Sequence, residues 1–263
     1  MKTILLHIHD DIAMEARFQA ALALARQQGA HLTCLQVLPS PYYPAEAAVS
    51  PGTYELLVEG IEAPARAQRA ALEARLRTEM VPWSWRVRTG ALVGHLLAEA
   101  RLADLIVVSL GEETTALSTV GGLIVHGQLP VLAVPAQASQ FDPAGPVMIA
   151  WNGSGEAANA VRHALPLLRA ASKVHIVSIE EANDGLPSSD LAAYLSRHEI
   201  HADVQERRPG SSVEEALVRA AGELGASCIV MGGYGHSRMR ELVFGGVTRA
   251  MLQDSAVPLL LSH

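Results

Sequence analysis

Residues 229–249 read IVMGGYGHSRMRELVFGGVTR. A buried-strand pattern runs into glycines at Gly232 and Gly235, and nine residues later comes the pair Gly245 and Gly246. A phosphate must approach the main chain closely, which a Cβ obstructs, and the dipole at a helix N-terminus then favours the anion. The spacing places bare N–H groups at two helix N-termini around one hollow, and the expected occupant is a phosphate chain. Arg238, Arg240 and Arg249 lie near it as counter-charges, and His236, Val247 and Thr248 belong to the same stretch. The competing reading is that these glycines only shape a turn and allow close helix packing. Lysine occurs only as Lys2 and Lys173, neither after a glycine-rich loop, which excludes a P-loop of the Walker type.

Two further groupings could carry chemistry. Gly153, Gly155 and Ala158 satisfy G-x-G-x-x-A after a strand-like run, with Glu180 and Glu181 further on, as in a dinucleotide-binding unit. Those acidic residues come later than the usual spacing of roughly 20 residues, and the reading leaves the glycine cluster at 232–246 unexplained. His7 and His9 share one side of a strand and precede Asp10 and Asp11, a set of types that suits zinc. Without a defined third ligand, the plainer reading is a polar strand end with satisfied hydrogen bonds, and no metal is expected. No serine nucleophile elbow, His-Glu-x-x-His segment or Cys-His arrangement is legible. A site holding phosphates and Mg²⁺ can position water without a dedicated base, so slow ATP hydrolysis stays open beside the first reading, a binding protein.

Composition bounds what surrounds these residues. A chain of 263 residues with 49% hydrophobic and 18% charged residues can bury ample core in one large domain or two small ones. A formal net charge of −7 argues against a general affinity for nucleic acid or an anionic membrane. No apolar run is long enough to span a membrane. The segment MKTILLHIHDD enters a strand-like run at once and is read as the first strand of a cytoplasmic protein. Cys34 and Cys228 sit inside apolar runs, as small core hydrophobes do.

The chain repeats itself. Ile4–Leu6 with the following HIHDDIAMEARFQAALALA matches Val147–Ile149 with AWNGSGEAANAVRHALPLL without a gap. LTCLQVL then matches VHIVSI, RVRTGALVGHLLAEA matches QERRPGSSVEEALVRAA, ADLIVVSLG matches ASCIVMGG, and LPVLAVPA matches VPLLLSH. Each half reads as β-α-β-α-β-α-β-α-β, the alternation that predicts a parallel sheet covered on both faces. A long helix is expected from about Tyr54 to Glu79, a capping box at Ser212 with Glu215, and a polar, proline-punctuated linker over 136–146. The resulting domains are 1–137 and 145–263.

The spacing of Gly232, Gly235 and Gly245 resembles that of the universal stress protein family, in which Gly, two residues, Gly, nine residues and Gly are followed by Ser or Thr. Here Gly246 replaces the hydroxyl residue; the backbone N–H remains, and Thr248 lies two residues on. The resemblance covers nearly the whole chain as a tandem repeat. It implies two doubly wound α/β domains of five strands each, in the order 3-2-1-4-5, forming an intramolecular pseudo-dimer. The family commonly pairs last strands, here Val131–Val134 and Leu259–Leu261, and a further homodimer is conceivable on top of this. It also implies ATP or another adenine nucleotide, with or without Mg²⁺, in the second domain, and an unidentified protein partner. Residue by residue, Asn152 stands where the family usually has a ribose-contacting aspartate, with Gly153 beside it. Ile179 falls at the adenine position and is read equally well as core, and Met231 is either base-facing or core, with core preferred. The first half lacks the motif and carries Glu112 and Glu113 where phosphate would lie, so it is expected to be nucleotide-free. The alternative is a nucleotide-independent scaffold.

Overall fold

The computed structural model describes residues 1–40, 51–110, 114–138, 141–179, 185–233 and 246–263. The first half comprises β1 (Thr3–Ile8), α1 (Met14–Gln28), β2 (His31–Leu38), α2 (Pro51–Leu76), β3 (Trp83–Thr89), α3 (Leu92–Glu99), β4 (Leu105–Leu110), α4 (Thr114–His126) and β5 (Val131–Pro135). The second repeats the order with β6 (Val147–Trp151), α5 (Gly155–Leu168), β7 (Val174–Ile179), α6 (Ser188–Arg197), β8 (Asp203–Arg207), α7 (Val213–Glu223), β9 (Cys228–Gly232), α8 (Gly246–Asp254) and β10 (Leu259–Ser262).

Local chemistry sets several element ends. Helix α1 stops at Gly29, which takes the left-handed conformation (φ 57°) and donates its N–H to carbonyls of the last turn. Helix α5 starts at Ser154, whose hydroxyl accepts the Ala157 N–H, and α7 starts at Ser212, whose hydroxyl accepts the Glu215 N–H. The expected capping box at α7 is only half formed, because the Glu215 carboxylate accepts the Ser211 hydroxyl instead.

The strands form a ten-stranded sheet in the order β3-β2-β1-β4-β5-β10-β9-β6-β7-β8. Within each half all pairings are parallel and the order is 3-2-1-4-5. The halves meet where β5 pairs antiparallel with β10, Leu259 opposite Ala133, Leu260 opposite Leu132 and Leu261 opposite Val131. The two five-strand sheets are therefore one sheet, joined edge to edge by the last strands and not across the linker. All six residues at this seam are buried, and each fully buried leucine contributes about 1.5–3 kcal/mol of apolar transfer.

Alternate strand residues face opposite sides, and two cores result. Ile4, Leu6 and Ile8 join α1, α2, α5 and α6 in one, whereas Leu5, Leu35 and Ile106 join α3, α4, α7 and α8 in the other. Each core contains residues of both halves. The linker is not only a spacer: Phe141 is buried in the first core, and the Pro146 carbonyl accepts hydrogen bonds from the backbone and hydroxyl of Ser227. Cys34 and Cys228 are free and buried, and burial pushes both thiols up to about 12, so neither forms thiolate readily. Among the described residues no helix is long and apolar enough to cross a membrane.

Candidate functional site

The carboxyl ends of β6 and β9 lie side by side, with Ala150 opposite Met231. Here the strand order reverses, since β6 is followed in sequence by β7 on one side while β9 flanks it on the other. Open α/β sheets bind ligands at such a crevice.

The turn from β6 into α5 is tightly specified. The Asn152 side-chain oxygen accepts the Ser154 N–H at 3.1 Å, and Gly153 has φ 73°, a left-handed conformation that favours glycine. The connection following β7 docks on this turn: Leu186 N–H donates to the Gly153 carbonyl at 3.1 Å, and Trp151 Nε1–H donates to the Leu186 carbonyl at 2.8 Å. A Cβ on Gly153 would stand 2.3 Å from the Leu186 nitrogen, and one on Gly185 would stand 2.6 Å from the Asn152 carbonyl oxygen. Two glycines thus let two backbones touch beside the crevice.

Gly232 ends β9 against the first turn of α5. A Cβ there would lie 2.6 Å from the Ala157 nitrogen and 2.8 Å from the Glu156 carbonyl carbon. Close packing onto α5 accounts for this glycine, with or without a ligand. Next to it, the Gly233 carbonyl is hydrogen-bonded to His263 Nδ1 at 3.1 Å, and the Asn159 amide donates to the His263 carbonyl at 3.0 Å.

Of the other candidates, Met231 is buried in the second core and Ile179 packs half-buried against it. Gly246 opens α8, and a Cβ there would meet nothing within 4 Å among the described residues; Val247 is half-buried against the second core, and Thr248 is buried. Gly235, His236 and Gly245, together with Arg238, Arg240, Glu112, Glu113, Glu180 and Glu181, lie outside the described residues. The structure thus brings Asn152, Gly153 and Gly232 to one end of the sheet at the start of α5. For the dinucleotide alternative, a Cβ on Gly155 would meet nothing within 4 Å among the described residues.

Sequence reasoning missed Ser154, which caps the helix facing the crevice, and Gly185, which meets Gly153. Ser154 was legible as a hydroxyl before a helical pattern, whereas nothing local marks Gly185. His7 and His9 stack at 5.9 Å, and burial, with Arg17 and His9 nearby, lowers the His7 pKa to about 3. Among the described residues no group of three or more His, Cys, Asp or Glu is arranged to hold a metal ion.

Comparison with known proteins agrees with this architecture. A universal stress protein from Archaeoglobus fulgidus DSM 4304 has a similar fold, with a TM-score of 0.77 at 14% identity over 99% of this chain and 97% of that one. A universal stress protein from Pseudomonas aeruginosa UCBPP-PA14 gives a TM-score of 0.64 at 17% identity, covering 100% of this chain and 93% of that one. A universal stress protein of Synechocystis is 25% identical over 185 residues, a match spanning 66% of this chain and 62% of the relative's length. The profile of the universal stress protein family matches residues 1–135 and again 144–263. The chain is a member of the universal stress protein family with two tandem copies of the family's unit.

Proposed function

We propose that the chain is a stress-response protein that binds ATP or a related adenine nucleotide in its second half, residues 145–263, and acts in the cytoplasm as a regulator or interaction module toward a protein partner. The first half, residues 1–137, is a nucleotide-free structural copy. The observation that carries this reading is the junction of Gly232 with the capped N-terminus of α5, at the strand-order reversal, where the motif of Gly232, Gly235 and Gly245 begins. In this reading the motif's N–H groups hold the phosphates, Gly246 contributes backbone only, and Asn152 offers an uncharged hydrogen-bonding group to a ribose hydroxyl. Mg²⁺ would accompany the phosphates as their counter-ion.

One observation favours a second reading, a nucleotide-independent scaffold: packing onto α5 alone accounts for Gly232. Mass spectrometry of small molecules released on denaturing the purified chain separates the two. An adenine nucleotide in stoichiometric amount supports binding. None released, together with no calorimetric binding of ATP in the presence of Mg²⁺, supports the scaffold.

A further inference from the structure

The repeat gives each residue of the second-half crevice a counterpart in the first half. β4 pairs with β1 from Leu105 opposite Ile4, and β9 pairs with β6 from Cys228 opposite Val147. Counting along the gap-free match from these pairs, Ser109 answers to Gly232, Asp11 to Ser154 and Arg17 to Ala160. Where the second half has a glycine, a neutral cap and an alanine, the first has a hydroxyl, a carboxylate and a guanidinium.

These three first-half groups contact one another. Arg17 is 0% exposed. Its Nη1 donates to both carboxylate oxygens of Asp11, at 3.3 and 3.0 Å, and to the Ser109 hydroxyl, while Nη2 donates to the His9 carbonyl at 3.0 Å. Its Nε is buried with no hydrogen-bond partner among the described residues. Asp11, 29% exposed, also accepts the Ala13 N–H at 2.9 Å, at the N-terminal turn of α1. A cation at that end of a helix opposes the dipole, so a buried Arg17 demands an anion beside it, and the Asp11 carboxylate satisfies the cation and the helix end together. Around them, His7 stays neutral near neutral pH, and Asp10 and His9 are exposed. Among the described residues, the buried positive charge of the cluster is that of Arg17.

We propose that the α1 N-terminus is an anion site that the chain fills with its own Asp11 carboxylate, so that removing this side chain opens a site for a small carboxylate held by Arg17 and the Ala13 N–H. The first half is in this sense self-liganded. The inference rests on the proposed function only in treating the second-half crevice as its counterpart, and its test uses no nucleotide.

The test compares melting temperatures of the full chain as wild type, D11A and D11A/R17M, in sodium formate and in sodium chloride at equal ionic strength. D11A should melt below wild type in chloride and regain several degrees in formate. Wild type and D11A/R17M, which lack an open site and a stranded cation respectively, should melt alike in the two salts. Equal formate shifts in all three proteins would overturn the proposal. If D11A does not fold in chloride, refolding followed by circular dichroism replaces the melt: recovery in formate supports the proposal, and failure in both salts while D11A/R17M folds overturns it.

Discussion

Gly232 illustrates how one residue can satisfy two demands. As part of a phosphate motif it needs a bare backbone, and as the end of β9 it needs to touch the first turn of α5. Both demands were legible in the sequence as competing readings, but the packing partner was not, because it is the first turn of a helix more than seventy residues earlier in the chain. A substitution at Gly232 therefore cannot isolate nucleotide contacts, since it strains the packing as well. Gly246 and Gly245 are the useful positions. A Cβ on Gly246 meets nothing within 4 Å among the described residues, and Gly246→Ser should melt as wild type and bind ATP as well or more tightly. Gly245→Val should weaken ATP binding by roughly two orders of magnitude if it removes two phosphate hydrogen bonds at about 1.5–3 kcal/mol each. Calorimetry on folded variants checks both, and Gly245→Val binding as wild type would remove the phosphate role. Arg17 was marked by no motif, yet it shares the apolar stripe of α1 with Ala20, Ala21 and Leu24 and is wholly buried. His7 offers a second residue-scale test. Its folded pKa of about 3 lies below the ordinary imidazole value of 6.5, so the unfolded chain binds the extra proton between those values. His7 thus costs no stability above pH 6.5 and progressively more as pH falls toward 3, by up to about 1.4 kcal/mol per pH unit. His7→Leu should flatten the decline in melting temperature between neutral pH and pH 4, and an unchanged slope would contradict the assignment.

At the scale of elements, the alternation of strands and helices was readable throughout because buried parallel strands such as TILLHI and LIVVSL are continuous apolar runs bounded by turn residues. Helix α2 was displaced only slightly, running from Pro51 to Leu76 where Tyr54 to Glu79 was expected. Strand order was not readable from periodicity, since hydrophobic pattern specifies burial and not neighbours; it came from the family resemblance. The resemblance also supplied the seam of β5 with β10, and the structure adds that the seam merges both sheets. Leu260 lies opposite Leu132 there, 1% exposed. Leu260→Asp puts a carboxylate into the apolar first core, and should cost upwards of about 3 kcal/mol and expose apolar edges to aggregation. Chemical denaturation checks this, and a change below about 1 kcal/mol would mean that the seam contributes little to the fold.

At the scale of the molecule, the halves share a fold and differ in the chemistry at their carboxyl edges. The second half ends β9 in glycine against a hydroxyl-capped helix, while the first closes the matching place with Asp11, Arg17 and Ser109. In the proposed reading, the chain has a single nucleotide site, in its second half, and the first half is its partner domain. The most direct test is titration calorimetry of ATP, with Mg²⁺ present, into the full chain after any bound nucleotide has been stripped. The account predicts one site per chain, abolished or strongly weakened by Gly245→Val. Two equivalent sites, or no binding by a chain that also releases no nucleotide on denaturation, would contradict it.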